Sequence, residues 1–251
     1  MRALARTTWV ELKLFRREPL TVAVTLGLPL VLLFVLGGVF GNTPDPEVYR
    51  GVGPMDYYVP AYIGLVIASL GIVGLPAHLS AYRERGVLRR FVASSVPMWA
   101  VIGAQVMVTL VVAFLGSVLL ITVASFTYDI HFPSSVPLVV GGFFLSGLSF
   151  SAIGVFLGSA FPTARAAQGA GLMLWFVMMI LGGAGPPPEV LTEGMRAVGD
   201  ATPVRHVILL LQDAWLGFGW NWTETLIVAV FMAGAVLVTI LLTRGRLGRE
   251  R

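Results

Sequence analysis

Of the chain's 251 residues, 57% are hydrophobic and only 12% charged, and the mean hydropathy is +0.86; soluble folds carry about 25% charged residues, so the composition predicts an integral membrane protein, and the apolar runs of spanning length below make it all-α. The formal charge of +4 sits at the ends of apolar runs instead of along one stripe, which excludes nucleic acid as a partner and makes the basic residues topology signals. The absence of cysteine excludes disulfides, thiolate metal sites and a thiol nucleophile.

Residues 1–18 read as an amphipathic interfacial helix. On a helical wheel Leu4, Ala5, Thr8, Trp9, Leu12 and Phe15 share one side, with Arg6, Lys13 and Arg17 opposite and Arg16 in the last turn. Such a helix lays its aromatic face among acyl chains and its cations near anionic headgroups, which makes membrane lipid a direct partner. Pro19 then turns the chain into an apolar run at about 20–41. That run is longer than the roughly 7–15 residues of a signal-peptide core, so it reads as a retained span.

Further apolar runs at about 57–79, 98–126, 136–161, 166–185 and 224–243 bring the expected spans to six. Of the 17 Lys and Arg residues, 14 fall on the side that holds both termini, and only Arg50, Arg196 and Arg205 fall on the other. This asymmetry predicts a multi-pass cell-membrane protein with both termini cytoplasmic. Two external connections stand out. Residues 41–56 are Pro-rich and acidic, a plain loop or a flexible lid. Residues 186–222 contain an apolar stretch at 204–215 that is too short to span; it is either a re-entrant or interfacial helix or an external helix with an apolar face. Trp215, Trp220 and Trp222 near it suit headgroup depth.

Between the second and third spans, residues 82–91 carry Arg83, Arg85, Arg89 and Arg90. The stretch is either a positive-inside loop that only fixes topology or a short cytoplasmic coupling helix moved by a soluble partner. As a helix it puts Glu84 and Leu88 on one face, while Gly86 permits a tight turn or a close backbone approach.

The expected spans hold no Asp, Glu, Lys or Arg away from their ends, which argues against an ion-coupled carrier. His78 reads as a capping or interfacial residue, with a proton relay as the alternative, and Gln105 as an interhelical hydrogen-bond donor or a substrate ligand. Gly147, Ser151, Gly154 and Gly158 recur at steps of three and four and form a packing stripe on the fourth span. Within that span, Gly-Leu-Ser149-Phe is similar to the nucleophile segment of rhomboid-type proteases. That chemistry needs a histidine base on a neighbouring span, and the sixth span has none. Walker loops, His-Glu-x-x-His and paired metal ligands are missing from the sequence, so the chain is expected to be no enzyme, to hold no metal or nucleotide, and to draw on an outside energy source.

The basic N-terminal helix, the six spans, the segment Arg83-Glu84-Arg85-Gly86-Val87-Leu88-Arg89-Arg90 and the hydrophobic external segment together resemble the permease subunit of type-2 ABC exporters of the drug- and antibiotic-efflux kind. The likeness runs along essentially the whole chain. It is sharpest at 82–91, similar to the family's coupling segment, and at 201–213, similar to its Pro-Leu-Thr-His-like segment, where Gln212 stands in place of an Arg often found late in the motif. The resemblance implies a single permease domain over 1–251, paired with a second permease copy as homodimer or heterodimer. It also implies two copies of a cytoplasmic ABC ATPase that bind the ATP and Mg. Arg83, Glu84, Arg85, Gly86, Leu88, Arg89 and Arg90 are then the coupling residues.

Gln105, Met173, Phe176 and Met179 either line an adaptable hydrophobic route, since Met repacks around varied ligands, or face lipid. The expected cargo is a small hydrophobic or amphipathic molecule such as a drug, antibiotic or lipid. Export of a polysaccharide or lipid conjugate, and a non-transporting anchor or sensor of an ATPase complex, are the alternatives.

Overall fold

The computed structural model describes residues 2–16, 27, 29–35, 38–39, 41–45, 47–87 and 97–247. Most of the expected span at 20–41, together with Arg17, Leu88, Arg89 and Arg90, lies outside these residues, as do the side chains of Phe15 and Arg16. The described residues form helices and no strand. These are α1 (Arg2–Arg16), α2 (Pro54–Glu84), α3 (Met98–Tyr128), α4 (Val136–Ala160), α5 (Ala164–Leu181), α6 (Glu193–Asp200), α7 (Pro203–Leu216) and α8 (Trp222–Leu247); residues 29–35 are also helical. Among the described residues five helices, α2, α3, α4, α5 and α8, are long and apolar enough to cross a membrane. The sixth expected span is the one at 20–41.

Local sequence sets the helix ends. Proline stands in the first turn of α2, α4 and α7, where its missing N–H is no loss and its fixed φ is already helical. Thr163 caps α5 by accepting from the Ala166 amide at 3.1 Å, and α7 stops at Gly217, whose φ is 90°.

The core forms around α2. Its most apolar stretch is 83% buried, with Tyr57, Tyr58, Tyr62, Leu65, Ile67 and Ile72 almost wholly enclosed. A helix surrounded in this way needs no polar face. In its middle, Pro76 lacks an N–H and its ring crowds the carbonyl four residues back, that of Ile72. A π-turn over Leu70–Gly74 takes up the mismatch. Two glycines close on the carbonyls there: a Cβ on Gly154 of α4 would overlap the Gly71 oxygen, and one on Gly171 of α5 would overlap the Ile72 oxygen.

Around this centre, Gly158 lies against Pro76 and Leu79, while Gly147 faces Leu110 of α3. Ser151 is buried, and its hydroxyl has no hydrogen-bond partner among the described residues. Helix α7 lies across α2 and α4, with Val207, Ile208 and Leu211 over Gly64 and Leu210 and Leu211 over Gly142. In contrast, α8 is only 11% buried over its apolar window and rests chiefly on α4, where the Ser149 hydroxyl donates to the Val228 carbonyl at 3.1 Å.

Candidate functional site

At the Arg-rich end of the bundle, the last turn of α2 braces three other segments. The Tyr82 hydroxyl donates to the Glu11 carboxylate of α1 at 2.5 Å. Arg83 donates to the Ser159 carbonyl at 3.2 Å and to the Phe161 carbonyl, at the end of α4. The Glu84 carboxylate accepts from the Ala164 amide at 3.0 Å, so an acidic side chain sits at the N-terminus of α5, where the helix macrodipole favours it. The turn therefore ties α1, the α4–α5 junction and α5 together.

Of the stretch expected as one short helix, 82–91, the described part is 82–87, and it is broken at Gly86. Tyr82, Arg83 and Glu84 belong to α2, and Gly86 then takes a φ of 66°, with its amide bonded to the Arg83 carbonyl at 3.1 Å. A left-handed glycine of this kind ends a helix. Glu84 therefore closes α2 ahead of this stop, and Leu88, expected on the same face, lies outside the described residues. Arg85 is exposed beyond the brace, and so is Arg165 in the first turn of α5.

Helix α1 divides the side expected to face lipid, turning Leu4 and Leu12 inward and Trp9 outward. It packs on α3, with Leu4 against Gly103, and among its described side chains the buried one is Glu11, at 6% exposure. Leu12 is half-buried against the core. Trp9 points outward at 60% exposure, with the Lys13 ammonium 5.2 Å from its ring centroid. Buried Glu11 was missed in the sequence, although it is the one carboxylate among Arg2–Arg16, and a lone acid in a basic helix is a signal of internal pairing.

The residues considered for a substrate route occupy different environments. Gln105 is enclosed, its amide nitrogen without a partner among the described residues, while Met173 and Phe176 are exposed on α5 and Met179 is half-buried. His78 bonds the Gly74 carbonyl at 3.0 Å, four residues back along α2.

The opposite end carries polar clusters that the sequence did not announce, because their members lie far apart in the chain. Asp56 of α2 accepts from the His131 amide at 2.8 Å, its Nδ1 at 2.9 Å and the Asn42 amide group at 3.4 Å. Arg50 pairs with Asp213 at 2.6 Å. The Asp213 carboxylate also accepts from Asn221 at 2.7 Å, and the neighbouring Gln212 donates to the Tyr57 carbonyl at 3.1 Å. His206 of α7 meets Glu224 of α8 at 2.6 Å.

The described residues thus form a helical bundle with five helices long and apolar enough to cross a membrane, a braced basic turn at one end and α7 lying across α2 and α4 at the other. The chain belongs to the ABC-2 type transporter family, whose sequence model matches residues 2–216. It is similar to the probable multidrug ABC transporter permease YbhR of Escherichia coli K12, at 24% identity over 186 residues, 71% of this chain and 50% of the relative. The same protein of Escherichia coli O157:H7 matches with the same figures. The chain thus spans half the length of the curated relatives it matches.

Proposed function

We propose that this chain is the membrane-spanning subunit of an ATP-binding-cassette exporter, moving a hydrophobic or amphipathic molecule outward with its basic end and both termini in the cytoplasm. In this reading a separate ATPase subunit binds the ATP and Mg, the permease itself performs no hydrolysis, and two copies of each make the assembly. The cargo is drug-, antibiotic- or lipid-like, in line with the multidrug name that the relatives carry.

The observation that supports it is the brace formed by Tyr82, Arg83 and Glu84. Exposed ion pairs are each worth about 1 kcal/mol or less. Arg85 and Arg165 therefore steer a partner more than they hold it. Force is transmitted because a push on the turn after Glu84 reaches α1, α4, α5 and α2 together, as rigid-body coupling requires.

The test uses vesicles containing the chain and an ABC ATPase that co-purifies with it. ATP added outside inverted vesicles drives uptake of ethidium, a planar hydrophobic cation, and right-side-out vesicles show none. Glu84→Lys replaces the α5 cap by a cation at the positive end of the helix and abolishes uptake while the protein still inserts. Uptake of the same rate by Glu84→Lys, or none by the unaltered protein, refutes the reading.

A further inference from the structure

The segment 47–53 runs directly into α2 at the end opposite the brace, and its backbone is strained. Tyr49 has a φ of 55°, Arg50 of 60° and Gly51 of 78°, three successive residues in the left-handed region. Glycine adopts this region freely. A residue with a Cβ does so at a disadvantage of about tenfold in population. Two such residues in a row persist only where the surroundings hold them.

Arg50 does the holding. Its guanidinium lies 2.6 Å from Asp213 and 3.3 Å from the Gln212 side-chain oxygen, and 4.9 Å from the Phe218 ring centroid. The Asp213 side chain is 10% exposed and that of Arg50 26%, so loss of either partner strands a largely desolvated charge. Tyr49 adds edge-on contacts to Tyr57 and Tyr58, with centroids 5.7 Å apart in both cases. The strap is fastened across α7 and the α7–α8 turn, and α2 begins right after it at Pro54. The other end of α2 is the braced turn of Tyr82–Glu84.

We propose that Arg50 is the positioning residue of an exit latch. Its pairing with Asp213 pins the strained strap 47–53, and movement of α2 breaks the pair so that the strap lifts from Tyr57 and Tyr58. The backbone strain favours the lifted form, and the ion pair favours the closed one. The gating role rests on the export reading, whereas the latch is a property of the chain by itself.

Hydrogen exchange on the purified full chain in lipid nanodiscs tests the latch without ATP or substrate. The reporters are the strap amides of Gly51 and Val52, bonded to Val48 and Tyr49 at 3.2 and 3.3 Å, and that of Tyr57, bonded to Gly53 at 3.1 Å. Arg50→Ala speeds exchange in 47–58 at least about tenfold, Arg50→Lys restores part of the protection, and α6 keeps its unaltered rates.

Gly51→Ala is the second variant. A Cβ at Gly51 meets nothing within 4 Å, so the substitution adds backbone strain alone and speeds strap exchange about tenfold with the ion pair intact. Unchanged strap exchange in either Arg50→Ala or Gly51→Ala overturns the latch. So does acceleration spread evenly over α6 and α7, which marks Arg50 as a general structural prop. In transport-competent vesicles Arg50→Ala raises leak of ethidium in the absence of ATP, and an unchanged leak overturns the gating role. Faster strap exchange in a protein whose unaltered form moves no substrate supports the latch and removes only the export reading.

Discussion

His131 and Asp56 make one titrating contact at the surface. The Asp56 carboxylate is buried, while the His131 side chain is 87% exposed. The hydrogen bond to Asp56 raises the imidazole pKa above its ordinary 6.5, the charges of Asp56 and Asp129 raise it further, and slight burial opposes them. From the other elements, Asn42 also faces the carboxylate, and Trp215 of α7 donates to the His131 carbonyl at 3.1 Å. A folded-state pKa above the unfolded value stabilises the fold fully below 6.5 and loses that contribution as pH rises through the raised value. Melting of the unaltered protein and of His131→Gln across this range should show a gap that is widest in acid and closes in base. A gap that stays constant with pH would count against the ionic contact.

The same scale shows what one sequence conceals. Gln212 stands where the resemblance to the family expects a basic residue, and the structure delivers the Arg50 guanidinium to that spot from 162 positions earlier in the chain. Distance along the chain hides such a pair. Ordinary local signals such as capping boxes operate over three or four residues, and none connects 50 with 213.

At the scale of the element, apolar length was the legible property. The runs at 98–126 and 136–161 correspond closely to Met98–Tyr128 and Val136–Ala160, whereas α2 extends from Pro54 to Glu84, beyond both limits of 57–79. Its extra turns carry Asp56, Arg83 and Glu84, whose polarity reads as loop until their partners are known. The run at 166–185 overshoots the end of α5 because Gly182 and Gly183 are apolar by composition, yet Gly183 adopts a φ of 96°.

The π-turn was not legible, but its glycine partner on α5, Gly171, makes it testable. Gly171→Ala places a methyl on the Ile72 carbonyl, backbone against backbone, and should destabilise the fold by about 1–3 kcal/mol. Gly169→Ala, two residues earlier with nothing within 4 Å, should be neutral or gain up to about 1 kcal/mol in helix propensity. Comparing the fraction of each variant that stays monodisperse in detergent on heating checks both, and equal behaviour of the two would show that the close approach is unimportant.

Across the whole molecule, enclosure falls steeply from α2 to α8. Among the described residues the last helix contributes only Val228 to the buried core, yet it is apolar enough to cross a membrane unaided. Its docking is specified by polar contacts at one end, Glu224 with His206 and Asn221 with Asp213, and by one hydroxyl, that of Ser149, in the interior. Between α7 and α8 the chain passes through Gly217 and Gly219, both at positive φ. The architecture is therefore severable. Residues 1–219 and 220–251 made as two separate polypeptides in one cell should find each other in the bilayer, and a tag on the larger piece should recover the smaller. Glu224→Ala in the smaller piece should weaken the recovery. Failure of the unaltered pieces to associate would mean that covalent continuity, and not the α4–α8 contact, keeps the last helix in place.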